Sequence, residues 1–159
     1  EARRLYGIWS QYQVEREGML VAYASIHGNT AKVAHRVAEA LRAKGMEVKE
    51  IDLCRSDVSE AVSQAFRYGK MVLCASSYDS GVFPPMHIFL YKLGIKGYQS
   101  RRVALVENGT WAPTAGKTMR GMLETMKNID IVAPTLTIRS AWKEEYEEQL
   151  QTLVESISL

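Results

Sequence analysis

The stretch that decides the fold is an apolar run followed directly by a polar turn, Met19-Leu20-Val21-Ala22-Tyr23-Ala24 and then Ser25-Ile26-His27-Gly28-Asn29-Thr30. A continuous apolar run of this length is typical of a buried β-strand. After the turn, Val33, Val37 and Leu41 recur every four residues, which predicts one face of a helix that Gly45 ends. The stretch therefore predicts a strand–turn–helix unit.

The same alternation continues along the chain. Further strands are predicted at 46–53, 71–75 and 103–106 and within 129–138, where Pro134 interrupts the last one. Further helices are predicted at 57–68 (closed by Gly69), 86–93 (opened by Pro84-Pro85), 114–126 and 146–157. Alternating strands and helices predict an α/β fold, a three-layer αβα sandwich around a parallel sheet. Ligands of such sheets bind at the carboxyl ends of the strands, which points to the loops after strands one, three and four.

The first of these loops has the composition of a phosphate site. Ser25, Ile26, His27, Gly28, Asn29 and Thr30 place small hydroxyl and amide side chains around a glycine at a predicted helix N-terminus. Backbone N–H groups and the helix dipole favour an anion there. The loop has no lysine or arginine, so neutral donors would hold the anion. A plain helix cap formed by Asn29 or Thr30 is the alternative.

The other two loops carry aromatic residues. The second contains Ser76, Ser77, Tyr78, Asp79, Ser80 and Gly81, and the third contains Asn108, Gly109, Thr110 and Trp111. A flat ring could rest against these aromatic faces while backbone groups reach its polar edge. The alternatives are a turn with Phe83 in the core, which we favour for Phe83, and a core or interface position for Trp111. The stretch 115–118 resembles the end of a Walker A motif, but Trp111 stands where that motif needs glycine. Lys117 is therefore predicted to be a solvated helix residue.

Composition limits the remaining possibilities. The 159 residues are 47% hydrophobic and 24% charged with a net charge of +2, which fits one folded domain. No basic stripe suggests nucleic acid, and no apolar run is long enough for a membrane span. Cys54 and Cys74 lack a C-x-x-C partner and lie in apolar, strand-like surroundings, so both are predicted to be small hydrophobes in a reduced, cytoplasmic protein. The three histidines lack metal-site spacing, and no catalytic base or nucleophile is evident.

The three loops together resemble those of the flavodoxin family, and most closely the flavodoxin-like domain of flavodiiron proteins. Residues 25–30 are similar to the flavodiiron phosphate loop S-M-Y-G-N-T, with His27 at a position where flavodoxins carry a hydroxyl residue. Residues 78–85 resemble the loop that runs into F-P-P, and residues 108–112 resemble the tryptophan-containing third loop. Residues 4–12 resemble the linker that precedes the flavin domain in flavodiiron proteins.

The resemblance implies a five-stranded sheet of order 2-1-3-4-5 that binds FMN, with the phosphate on the first loop and the ring between the other two. It implies a linker or extension at 1–17 and the FMN domain at 18–159. In flavodoxins a glycine-containing peptide flips when the flavin is reduced, and Gly81 or the peptide before it is the candidate here. The implied partners are a redox protein donor, rubredoxin-like or flavoprotein-reductase-like, and a diiron metallo-β-lactamase-like domain. A homodimer is compatible with this resemblance.

Three other functions share parts of this pattern. An FMN-dependent NAD(P)H:quinone reductase would share the loops but would need room for nicotinamide, which Tyr78 and Trp111 could crowd. A phospho-acceptor domain would use Asp79, but Ala24 and Ser25 supply no acidic pair for Mg²⁺. A flavin-free interaction module would be colourless. The resemblance therefore favours an FMN electron carrier, the flavin module of an oxygen or nitric oxide reductase.

Overall fold

A computed structural model describes residues 16–26, 28–78, 81–109, 113–132, 134–139 and 141–159. Seven strands lie in these ranges: β1 (Arg16–Ala24), β2 (Val48–Asp52), β3 (Tyr68–Tyr78), β4 (Gly81–Val82), β5 (Arg101–Asn108), β6 (Ile129–Ile131) and β7 (Leu136–Ile138). Five α-helices alternate with them: α1 (Asn29–Ala43), α2 (Val58–Arg67), α3 (Pro84–Ile95), α4 (Ala115–Glu124) and α5 (Glu147–Ser158). A short 3₁₀ turn, Glu144–Tyr146, precedes α5.

The sheet is parallel along its main path, in the order β2-β1-β3-β5-β6. β7 also pairs with β5 in parallel, so β6 and β7 form two halves of one edge position, with Pro134 between them. Proline has no N–H for a ladder, which explains the break. Counted by position, the order is 2-1-3-4-5, and the predicted flavodoxin-like topology is confirmed.

Helices cover both faces of the sheet. One core cluster joins the sheet to α2, α3 and α4, and the other joins it to α1 and α5. The central run Met71–Ala75 of β3 is completely buried, alternate residues entering opposite clusters. This is the pattern of a parallel strand buried on both faces, and it forms the middle layer of the sandwich.

The predicted end of the second helix is wrong. α2 ends at Arg67, and Tyr68 has an extended backbone (φ −104°, ψ 153°) that begins β3, so Gly69 lies in a strand. The buried guanidinium of Arg101 donates to the carbonyls of Phe66 and Tyr68 at 2.9 and 3.0 Å. The carbonyl groups at this end of the helix therefore accept hydrogen bonds from a side chain distant in sequence, whereas the sequence suggested that Gly69 would end the helix.

The two cysteines differ in their surroundings. Cys74 is buried in β3, as predicted, but Cys54 is exposed, so its interpretation as a buried hydrophobe is wrong. Cys54 follows β2 in a turn in which its N–H donates to Asp52 at 2.9 Å. Among the described residues, no helix has the length and apolar character that a membrane crossing requires.

Candidate cofactor site

The N-terminus of α1 is open at the carboxyl edge of the sheet. Gly28 precedes the helix with φ +87°, a left-handed conformation that would strain any other side chain. Within the described residues, no side chain caps α1 and its first turn holds no acidic residue. The N–H groups of a first helical turn have no partner inside the helix. They present a positive dipole end that an anion can occupy.

Hydroxyl groups arrange the loop in front of this helix. Ser25 Oγ accepts a hydrogen bond from the Gly28 N–H at 2.9 Å and closes the turn. From β3, Ser76 Oγ lies 2.9 Å from Thr30 Oγ1 and accepts from the Ile26 N–H at 3.4 Å. Thr30 and Ser76 are both buried. The neighbouring strand therefore fixes the first loop at two points.

The next residue of β3 fixes the third loop. Ser77 Oγ accepts from the N–H groups of Thr114 and Ala115 at 2.8 and 3.0 Å, at the start of α4. Gly109 packs against it so closely that a β-carbon there would lie 3.0 Å from Ser77 Oγ and 3.1 Å from Pro113 Cα. A side chain at this position would force Ser77 or Pro113 to move by a few tenths of an ångström. Ser76 and Ser77 point in opposite directions because successive side chains of a strand alternate, so each serine holds a different loop.

Sequence reasoning missed two residues of this region. Glu107, at the end of β5, accepts from the Gly116 N–H at 2.8 Å and from Thr137 Oγ1 at 2.7 Å. Thr114 Oγ1 donates to the Gly81 carbonyl at 2.8 Å and so joins the second loop to α4. A lone carboxylate directly after the apolar run 103–106 was the one signal for Glu107.

The second loop presents an aromatic ring. Tyr78 is 50% exposed, and its ring centroid lies 5.7 Å from that of Phe83, which packs against the core as favoured. Tyr78 pairs with Gly81 in a two-residue antiparallel ladder, an element the sequence did not predict. An exposed aromatic face at the ligand edge of the sheet can contact a planar group.

Two titratable groups border the first loop. The Cys54 thiol lies 3.9 Å from the Ser25 carbonyl, and partial burial with nearby Asp52 raises its pKa. Partial burial, with Asp52 and Glu50 beside it, also raises the pKa of Tyr23. Both side chains therefore stay neutral at pH 7, and neither places a charge next to the open end of α1.

Eleven of the predicted site residues are described, and the structure brings them to one edge of the sheet: Ser25, Ile26, Gly28, Asn29, Thr30, Ser76, Ser77, Tyr78, Gly81, Asn108 and Gly109. Asn108 is buried at the end of β5. The other predicted site residues lie outside the described residues: His27, Asp79, Ser80, Thr110 and Trp111.

The Walker-like stretch 115–118 is not arranged as a phosphate loop. Lys117 is exposed on α4, as predicted. The N-terminus of this helix is occupied by Glu107 and Ser77. Within the described ranges, no group of three or more histidine, cysteine, aspartate or glutamate side chains is placed to hold a metal ion.

These features fit a phosphorylated, planar cofactor. The open end of α1 offers backbone donors and neutral hydroxyl groups for a phosphate, with no carboxylate among the described residues of its first turn. The half-exposed Tyr78 borders the same edge, two residues beyond the serine that holds the first loop. The donor set and the aromatic face suit FMN.

Comparison with known proteins agrees. The family model for flavodoxin matches residues 21–152. The chain is 25% identical over 142 residues to an uncharacterized protein of Methanocaldococcus jannaschii, covering 89% of this chain and 36% of that protein. It is 30% identical over 92 residues to the coenzyme F420H(2) oxidase of Methanothermobacter marburgensis, covering 57% of this chain and 22% of that protein. The chain thus spans about a third or less of these curated relatives.

Solved structures show the same fold. Rubredoxin oxygen:oxidoreductase from Desulfovibrio gigas superposes with a TM-score of 0.86 at 19% identity, over 99% of this chain and 40% of that one. The flavodiiron protein of Giardia intestinalis gives 0.87 at 18% identity, over 98% and 39%. A flavodoxin from the domain Archaea gives 0.76 at 19% identity, over 90% and 96%. With the family match spanning most of its length, the chain belongs to the flavodoxin family and is an FMN-binding domain of that fold.

Proposed function

We propose that this chain is the electron-transferring FMN module of a flavodiiron-type oxidoreductase. In this proposal it accepts electrons from a protein donor and passes them to a diiron centre on another domain, for reduction of oxygen or nitric oxide. The likeness to flavodiiron proteins supports it, because it spans nearly the whole chain, whereas the likeness to the archaeal flavodoxin spans nine-tenths. The sequence match to an F420H(2) oxidase supports a redox role.

The observation that carries the proposal is the pair of adjacent hydroxyl groups at the end of β3. Ser76 holds the loop in front of α1, and Ser77 holds the start of α4. A site that must grip a phosphate and a flat ring together needs its loops fixed relative to each other before the cofactor arrives. Two neighbouring residues of one strand provide that rigid reference.

The site residues divide by task in this proposal. Ser25, Asn29 and Thr30, with the backbone of 26–28, hold the phosphate, and His27 belongs to the same loop. Tyr78 and Trp111 border the ring on its two sides. The remaining proposed contacts to the ring edge are Ser76, Ser77, Asp79, Ser80, Gly81, Asn108, Gly109 and Thr110. When bound, the flavin supplies the redox chemistry, and the protein binds and orients it.

The peptide after Gly81 is held in place. Its carbonyl accepts the Thr114 hydroxyl at 2.8 Å, so a peptide that changes orientation with the redox state would be the one before Gly81. A β-carbon at Gly81 would meet no atom nearer than the Tyr78 carbonyl at 3.6 Å. Gly81→Val should therefore fold and, by restricting the preceding peptide, shift the reduction potential of the bound flavin.

The rest of the proposal concerns the longer protein. Residues 1–17 act as the linker from a diiron domain, and residues 18–159 form the flavin domain, in a reducing cytoplasm. The donor is a small redox protein of the rubredoxin class or a flavoprotein reductase. The relatives are two and a half to more than four times as long as the matched part of this chain, which leaves room for the second domain.

The test is direct. The purified chain, reconstituted with FMN, should bind one flavin per chain and become reduced in an anaerobic dithionite titration. Riboflavin, which lacks the phosphate, should bind about 100-fold more weakly or worse. Equal affinity for riboflavin and FMN would contradict the phosphate site. Rapid turnover with NADPH and a quinone, in the absence of a donor protein, would show a quinone reductase and contradict the proposed electron carrier.

A further inference from the structure

Helix α3 is apolar on its outer side as well as on its core side. Met86, Phe89, Leu90 and Leu93 are completely buried, yet Ile88, Tyr91 and Ile95 are 50%, 58% and 59% exposed. Positions 88, 91 and 95 follow the helical repeat, so the three exposed residues form one outward stripe. A helix that is apolar all round is ordinarily covered on every side. In the part of the chain that the structure describes, nothing covers this stripe.

The stripe lies between two depressions. A groove of about 920 Å³ separates α3 from α4 and is lined by Tyr91, Ile95 and Met122, among others. A smaller cleft of about 350 Å³ is lined by Tyr78, Gly81 and Ile88. Thr118 lines both. The two depressions and the stripe therefore form one partly apolar surface from the ring of Tyr78, at the cofactor edge, to the end of α3, and we name it the α3–α4 surface.

Positive charge surrounds this surface. Lys92 and Lys96 lie on or directly after α3, and Lys117 and Lys127 lie on or after α4, all four exposed. Arg120 adds a fifth positive charge, and Glu124 is the one acidic residue in 84–100 and 115–128. A mostly basic rim around an apolar centre is complementary to a partner with carboxylates around an apolar centre.

We infer that the α3–α4 surface docks an acidic electron-transfer protein. The inference rests on the proposed function, because a partner against the Tyr78 edge would lie beside the proposed FMN site. The rim charges would steer the encounter and make it sensitive to salt, while the stripe supplies the apolar contact. A second copy of this chain fits poorly, because two basic rims facing each other would repel.

The experiment uses the FMN-loaded chain and, as probe, an oxidised rubredoxin chosen for its net negative charge. Affinity is measured by calorimetry at low and physiological ionic strength for the wild type, Lys92→Glu/Lys96→Glu and Lys44→Glu/Lys49→Glu. The second pair changes the net charge by the same amount, and its exposed lysines lie in the region of α1 and β2. Tyr91→Asn tests the stripe, and FMN affinity is measured for each variant.

The rim pair should weaken rubredoxin binding at least about tenfold and reduce its salt dependence, and the control pair should stay within about twofold. Tyr91→Asn should weaken binding with the salt dependence unchanged. FMN affinity should be the same in all of them. Equal losses in both lysine pairs, no binding at low salt, or a wild-type dimer that Tyr91→Asn dissociates in sedimentation would each overturn the inference. Failure of the proposed function would look different, because reduced rubredoxin would then bind with the same dependence on the rim lysines and yet fail to reduce the bound FMN.

Discussion

Two helices begin at the same edge of the sheet, and their N-termini are in opposite states. α1 starts after Gly28 with no side-chain cap and no acidic residue in its first turn, as far as the described residues extend. α4 starts with Ser77 bonded to its first N–H groups and the Glu107 carboxylate bonded to the Gly116 N–H. The first helix has its dipole end available, and the second has its dipole end already paired with a negative charge.

The difference shows what decides where an anion binds in this fold. Both helix starts contain a glycine and small residues, and 115–118 resembles the end of a Walker A motif. The deciding groups lie on the neighbouring strands, since β3 and β5 direct Ser77 and Glu107 at α4, whereas Ser76 is directed at the loop of α1. Whether a helix N-terminus is free to bind an anion therefore depends on which side chains the neighbouring strands direct at it, as much as on the helix sequence.

The largest expected effect comes from placing a negative charge at the open N-terminus of α1. Ser25→Asp keeps an acceptor for the Gly28 N–H and adds a negative charge where the phosphate would bind. Two unit charges about 4 Å apart at an effective dielectric of about 20 interact by about 4 kcal/mol, so FMN affinity should fall by roughly three orders of magnitude. Fluorescence titration with FMN measures it.

Ser25→Asn is the matched control, with the same size and no charge, and it should cost less than about tenfold in affinity. The apoprotein should show the reverse effect, since an acidic residue at a helix N-terminus stabilises it by about 0.3–1 kcal/mol. Riboflavin affinity should be nearly the same in both variants. An equal loss of FMN affinity in the two variants would refute the open-terminus interpretation.

The second prediction removes the carboxylate that caps the N-terminus of α4. Glu107→Ala leaves the Gly116 N–H and the Thr137 hydroxyl without their acceptor, and it should lower the free energy of unfolding by about 1–3 kcal/mol. Glu107→Gln retains a carbonyl oxygen for the Gly116 N–H and should lose about half as much. Urea unfolding of the apoprotein measures both. Wild-type stability in the alanine variant would mean that the carboxylate does not cap α4.

The third prediction separates the two neighbouring serines. Ser77→Ala removes the acceptor for two N–H groups at the start of α4 and should cost about 1 kcal/mol of stability. Ser76→Ala releases the loop before α1 and should affect FMN affinity more than stability. Urea unfolding and FMN titration on both variants should thus rank them in opposite orders. The same ranking in both measurements would contradict the division of labour between them.

The fold could be predicted from the sequence wherever the signal was local. The four-residue spacing of Val33, Val37 and Leu41 predicts a helix face, and the apolar run 71–75 predicts a buried strand. The end of α2 could not be predicted, because the group that satisfies its last carbonyls is Arg101, more than thirty residues further along. β4 was missed because a two-residue ladder carries no periodicity.

The sequence predicted which loops meet at the carboxyl edge of the sheet, but not the hydrogen bonds that connect their described residues. The sequence placed Ser76 and Ser77 in one loop as equivalent contacts. Strand alternation sends them to different helices, and that depends on where β3 ends relative to α1 and α4. Cys54 was misplaced for a related reason, since β2 ends at Asp52, one residue before its predicted end, and the turn that follows leaves the thiol exposed.

The smallest expected effect uses inorganic phosphate in place of the cofactor. If the open end of α1 binds the phosphoryl group by itself, millimolar phosphate should raise the unfolding free energy of the apoprotein by about 1 kcal/mol or less, following the mass-action relation for a weak ligand. Chloride at the same ionic strength should not. Ser25→Asp should abolish the phosphate effect, Ser25→Asn should retain most of it, and Glu107→Gln should leave it unchanged, because α4 takes no part in it. If phosphate still stabilises the Ser25→Asp variant, the anion binds somewhere other than α1, and the proposed difference between the two helix N-termini is wrong.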